Sequence, residues 1–194
     1  MRASFVIATL ALLAACSEAG PPSIPPTAPP PPEVATTGFV RAQATATVPM
    51  SVPELRAFMA ANPLIDFLEP TDNIAPPVAS QVLSGTWPQP GATRWLRLSD
   101  GHYVVERVLQ NNPDLFRYQI FLFTNSVGRG VDQIVGEQRF LAQPDGSTRI
   151  EWDYDVKARN ALTRLFVRQQ IDEIDAYITG GLDGLAAAAT AAAG

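Results

Sequence analysis

Residues 93–109 read TRWLRLSDGHYVVERVL, and the fold turns on how this stretch is read. Two runs with apolar–polar alternation, 93–98 and 102–109, flank Ser99-Asp100-Gly101, a turn signal, so the stretch is a β-hairpin. Its register matters, because a slip of one residue moves one strand's whole apolar set to the other face. A two-residue Asp-Gly turn would set Leu98 opposite Tyr103 and Arg94 opposite Arg107, with like charges side by side. A three-residue Ser99-Asp100-Gly101 turn, with Gly101 left-handed, would set Leu98 opposite His102, Leu96 opposite Val104 and Arg94 opposite Glu106. The second register is adopted here because it pairs opposite charges.

Working outward, residues 39–48, 78–83, 115–123, 134–143 and 148–156 also read as strands. Asn111-Asn112-Pro113-Asp114 and Pro144-Asp145-Gly146 supply tight turns between them, and residues 125–130, with Gly128 and Gly130, make a looser connection. Ser51-Val52-Pro53-Glu54 has the form of a capping box, and the short helix it opens must end near Asn62, ahead of Pro63. The chain closes on a helix of about 25 residues, whose stripe is Leu162, Leu165, Phe166, Ile174, Tyr177, Ile178 and Leu182. One apolar stripe needs one broad partner, and a curved antiparallel sheet supplies it. The fold class is therefore α+β.

Composition sets the frame. The 194 residues carry 14 basic and 19 acidic side chains, a formal charge of −5, which is not the basic footprint of a nucleic-acid binder. One cysteine and one histidine leave no intramolecular disulfide and no Cys/His metal cluster. Residues 1–15 have the short apolar core of a signal peptide, too short to span a bilayer. Leu13-Ala14-Ala15-Cys16 looks like a bacterial lipobox, which implies acylation of Cys16 and, with Ser17 following, sorting to the outer membrane if the cell is Gram-negative. Residues 16–37 carry eight of the 18 prolines and read as an extended tether rather than a recognition-domain ligand. Residues 38–186 are the working domain, and residues 187–194 an alanine-rich tail that frays.

Several strings, in this order, resemble the START-like (SRPBCC) superfamily and its polyketide-cyclase/dehydrase-like branch. They are Leu83-Ser84-Gly85-Thr86-Trp87-Pro88, Gly91-Ala92-Thr93-Arg94, Asp100 to Arg107, Phe116-Arg117-Tyr118-Gln119-Ile120, Gly146 to Trp152, and the terminal helix. The resemblance implies a helix-grip: a curved antiparallel sheet wrapped around a long C-terminal helix, with an apolar cavity between them. It also implies that the glutamate matching Glu106 faces the pocket.

The expected cavity residues are Arg94, Leu96, Val104, Glu106, Tyr118, Ile120, Leu122, Ile150, Trp152 and Tyr154. Arg94 and Glu106 are its polar anchors, or else an internal ion pair that only sets the register. His102, beside the turn, reads as a surface residue. Glu151, Asp153 and Asp155 alternate onto one face and read as a solvated surface rather than a metal site. No catalytic constellation, metal or cofactor is expected. Three functions stay open: an envelope lipoprotein that binds or carries a small hydrophobic molecule or lipid, a cyclase/aromatase-like enzyme, and a non-catalytic interaction module whose cavity is filled.

Overall fold

The computed structural model describes residues 20–193, so the expected signal peptide and Cys16 lie outside the described residues. The order is β1 (Phe39–Val48), α1 (Val52–Ala61), a 3-10 turn (Leu64–Phe67), β2 (Pro77–Ser84), β3 (Thr93–Leu98), β4 (Tyr103–Asn112), β5 (Leu115–Phe123), the single turn α2 (Val127–Gly130), β6 (Val131–Ala142), β7 (Thr148–Ala158), α3 (Ala161–Gln169) and α4 (Ile171–Ala193). The strands form one antiparallel sheet in the order β1-β7-β6-β5-β4-β3-β2. Its inner face holds α4 against β1, where Ala42 and Ala44 are small enough for close approach. The capping box forms as read, with the Glu54 carboxylate accepting from the Ser51 N–H at 2.9 Å.

The hairpin adopts the three-residue turn. Arg94 stands opposite Glu106 and Leu96 opposite Val104, and the Leu98 N–H donates to the His102 carbonyl at 2.7 Å. Gly101 has φ of 84°, a conformation that costs a residue with a Cβ and costs glycine little.

The long C-terminal helix forms as α4, with two departures from the sequence reading. A break at Gln170 sets α3 apart from it, turned so that Leu162, Leu165 and Phe166 lie exposed while Val167 is buried. The apolar spacing runs in phase through the break, and neither glycine nor proline marks it, so periodicity alone hides it. The alanine-rich end does not fray at residue 186. It forms the last turns of α4, where Leu185 and Ala189 are fully buried.

Candidate functional site

Between the concave face of the sheet and the helices lies a cavity of about 1180 Å³. That is at or above the upper end of the usual range for small-molecule sites. Of the ten residues expected there, Arg94, Leu96, Val104, Glu106, Tyr118, Ile120, Trp152 and Tyr154 line it. Leu122 does not. Strict alternation from Ile120 puts it inside, but Glu106 pairs with Ile120 while Val105 pairs with Leu122, so Phe121 is an extra, bulged residue. The bulge turns Leu122 to the outer face, and Phe123 lines the cavity in its place. Ile150 does point inward and is fully buried, but between Ala46 and Phe140, in solid core beyond the cavity.

The polar end of the cavity is built on β3 and β4. Arg94 Nε donates to Glu106 Oε2 at 2.6 Å, and both residues are buried. The Arg94 guanidinium also stacks on Trp87, 3.8 Å from the ring centroid, an arrangement that favours a cation over the aromatic face. Burial pushes the Glu106 carboxyl above its ordinary pKa, and the charge and hydrogen bond of Arg94 only partly oppose this. Nearby stand three tyrosines. Tyr118 accepts a 3.2 Å hydrogen bond from Trp152 Nε1. Burial raises the hydroxyls of Tyr118, Tyr154 and Tyr177, and the proximity of Glu106 adds to it for the first two. They are therefore neutral hydroxyls at physiological pH, able to donate as well as accept.

Tyr118 reaches this place because β6 has no side chain opposite it. Tyr118 pairs with Gly136, and a Cβ at Gly136 would lie 2.0 Å from Tyr118 Cζ. The remaining walls are apolar, and sequence reasoning missed several of them. Met59 on α1, Leu64 and Leu68 around the 3-10 turn, Trp87 in a proline-rich loop and Phe116 all line the cavity. Phe116, two residues before Tyr118 on β5, was within reach of the alternation rule; the loop and short-helix residues carry no face-defining period and were not. Tyr177 and Ile174 come from the helical stripe, as the expected closing helix required.

The other candidates lie elsewhere. His102 is at the hairpin end with its Nδ1 3.1 Å from Thr124 Oγ1, outside the cavity lining. Glu151, Asp153 and Asp155 face outward and pair with Arg139, Arg149 and Arg41, but Asp153 is buried beneath Arg41, Arg139 and Gln43 rather than solvated. Asp155 takes Arg41 in a two-pronged contact, both bonds 2.7 Å. Among the described residues no three His, Cys, Asp or Glu side chains stand where they could share a metal ion.

A sheet gripping a long helix around an apolar cavity with a polar end defines the helix-grip class of ligand-binding folds. The sequence matches the family described as polyketide cyclase / dehydrase and lipid transport over residues 40–190, and the chain belongs to that family. Among solved structures it is similar to norcoclaurine synthase of Thalictrum flavum, captured with a transition-state analogue. That likeness has 13% identity, 83% of this chain, 100% of that one and a TM-score of 0.61. It is similar to the protein XoxI of Bacillus cereus, at 16% identity over 76% of this chain and 94% of that one, TM-score 0.57. Ara h 8.0201 matches at 13% identity over 79% of this chain and 99% of that one, TM-score 0.55. At such identities the likeness establishes the fold alone. No curated protein matches the chain in sequence.

Proposed function

We propose that this protein is a lipid-anchored component of the cell envelope that binds or carries a small hydrophobic molecule or lipid in its cavity. The observation that carries the reading is the cavity: about 1180 Å³, largely apolar, with one buried ion pair and neutral tyrosine hydroxyls at one end. Such a site suits a ligand with an apolar body and one hydroxyl, carbonyl or carboxyl group. Its surroundings support exchange with a lipid surface. Val127 and Phe166 line the cavity and are exposed, with Leu162 and Leu165 exposed beside them. Residues 156–170 hold Lys157, Arg159, Arg164 and Arg168 and no acidic residue, in a chain of net charge −5. Apolar side chains ringed by cations are the composition that settles on anionic bilayers. The lipobox ending at Cys16 supplies the anchor, and export to the envelope follows from it.

Native mass spectrometry of the purified protein, followed by extraction, tests the ligand. The expected result is a co-purifying apolar molecule of a few hundred daltons. Glu106→Gln should weaken its binding far more than Glu151→Gln, by about 1–3 kcal/mol against a few tenths. Equal binding by the two variants, or an empty protein under all conditions, overturns the reading. Cys16→Ser should release the protein from membranes; an unchanged membrane fraction overturns the anchor.

A cyclase/aromatase-like reaction is the second reading, favoured by one observation. Glu106, with its raised pKa, and the hydroxyl of Tyr118 line the same largely apolar cavity, as acid–base partners would. Turnover of a polyketone substrate, lost in Glu106→Gln, would decide for it. The filled-cavity module loses its premise, because the cavity is open.

A further inference from the structure

The segment read as a free tether does not hang free. Residues 20–36 have no helix or strand, yet they run along the outer face of the sheet. Pro21 lies against the hairpin turn, where a Cβ on Gly101 would come within 3.1 Å of it. Residues 25–31 then share a groove with Leu83, Ser84, Thr93 and Phe121. From Pro32 the chain turns back across the strands, and at Thr37 its carbonyl accepts from Lys157 Nζ at 2.7 Å, beside β1.

What it covers is a row of polar side chains that are buried although they point away from the core. Gln119 is fully buried and Gln133 is 3% exposed. Arg107 Nη2 donates to Gln119 Oε1 at 2.6 Å, and Gln119 Nε2 donates to Gln133 Oε1 at 2.8 Å. Arg107 Nη2 and both ends of the Gln133 amide also bond the backbone of the proline-rich segment. Arg107 Nη2 reaches the Pro32 carbonyl at 3.2 Å, and Gln133 Nε2 reaches the Glu33 carbonyl at 3.1 Å. Gln133 Oε1 accepts the Ala35 N–H at 3.1 Å. One amide side chain thus meets the segment with its donor and its acceptor, as a neighbouring strand would. Without the segment these groups would face solvent or go unpaired.

We propose that the outer face of β3–β6 is a recognition site for an extended proline-rich peptide, occupied within the molecule by residues 25–35 of the same chain. The chemistry fits that ligand. A polyproline segment offers carbonyl acceptors and few N–H donors, which suits a row of donors from Arg107 and Gln133. It is extended before it binds, so little conformational entropy is lost. Its covalent link supplies an effective concentration in the millimolar range, so even a weak site stays filled.

Hydrogen exchange of the full chain reads the site at the Ala35 amide. Exchange at least roughly tenfold slower than the intrinsic rate is expected, and exchange at the intrinsic rate overturns the proposal. In a chain with Pro29, Pro30, Pro31 and Pro32 all changed to Gly, which leaves the core untouched, that protection should vanish. Protection that persists in this chain overturns the role of the polyproline. A synthetic peptide of residues 24–36, added to it at millimolar concentration, should shift the side-chain amide resonances of Gln119 and Gln133, and a scrambled peptide should not. No shift, or equal shifts from both peptides, reduces the segment to ordinary packing and overturns recognition. Protection that depends on protein concentration, with a dimer in sedimentation, overturns the intramolecular occupant in favour of a second copy.

Discussion

The sheet carries charge on both faces, and the two faces use it differently. Inside, among the described residues, Arg94 and Glu106 pair only with each other, beside Trp87 and the apolar walls. Outside, Arg139 touches Glu137, Glu151 and Asp153, and Arg41 touches Asp153 and Asp155, so each carboxylate there lies in a shared network. Solvent reaches the outer arginines, Arg41 being 51% exposed at its side chain and Arg94 only 11%. The lesson concerns redundancy. An exposed network loses one member and rearranges; a buried pair that loses one member leaves a charge with no counterpart.

The largest test of this contrast is Glu106→Leu. It strands Arg94 in the cavity, and stability should fall by about 3–5 kcal/mol. For a domain of this size that lowers the melting temperature by roughly 6–20 °C. Arg94→Met combined with Glu106→Leu should recover most of the loss, because no charge is left buried. A double variant as unstable as the single one would show that the pair is not what the single variant disturbs.

Gly136→Ala should come next. The added methyl meets the Tyr118 ring, and overpacking of this kind costs about 1–3 kcal/mol. Tyr118→Ala in the same chain should relieve part of the strain, as a calorimetric comparison of the three variants would show. Full additivity would separate the two residues and remove the close approach from the account.

The faces should also differ in the sign of their pH dependence. Burial, more than the opposing pull of Arg94, raises Glu106 above its ordinary value of 4.5. The folded state then holds a proton that the unfolded chain releases, so stability falls as pH rises from 4.5 through the folded-state value. At Asp153 burial pushes upward, but hydrogen bonds from Gln43 and Arg139 and the charges of Arg139 and Arg41 outweigh it, and the pKa is lowered. Its contribution is present above 3.8 and is lost as pH falls through the lower folded value. Melting curves against pH should lose part of their falling high-pH limb in Glu106→Gln. In Asp153→Asn they should lose part of their low-pH limb. Identical profiles for the two variants would erase the distinction.

The smallest effect belongs to Arg139→Ala. Asp153 keeps Gln43 and Arg41, so the loss should stay within about 1 kcal/mol. It should shrink further when the salt is raised, since the Debye length falls to about 3 Å at 1 M. A loss equal to that of Glu106→Leu would mean that the outer network has no spare members.

What could be read from the sequence follows from which signals are local. The hairpin register was legible because two arginines and one glutamate make only one of the two turns electrostatically sensible. The inward set of β7 was legible because Ile150, Trp152 and Tyr154 alternate with acids. The bulge at Phe121 was not, since Phe121, Leu122 and Phe123 are all apolar and no glycine marks the extra residue. The break at Gln170 was hidden by a stripe that stays in phase across it. The proline-rich segment showed its extended form in its composition, but its berth depends on Arg107, Gln119 and Gln133, which lie on three different strands. Their outward position was legible, and their burial was not.

The path of that segment sets a length. A free tether from residue 17 to residue 37 would reach roughly 65 Å at 3.1 Å per residue. Held along the sheet, it returns Pro21 to the hairpin turn at Gly101, and His102 in that turn contacts Thr124, next to the loop that borders the cavity. Only the five steps from Cys16 to Pro21 are then left to span the gap, at most roughly 16–18 Å. If Cys16 is acylated, the segment would act less as a leash than as a short mooring, keeping the β3–β4 turn close to the bilayer.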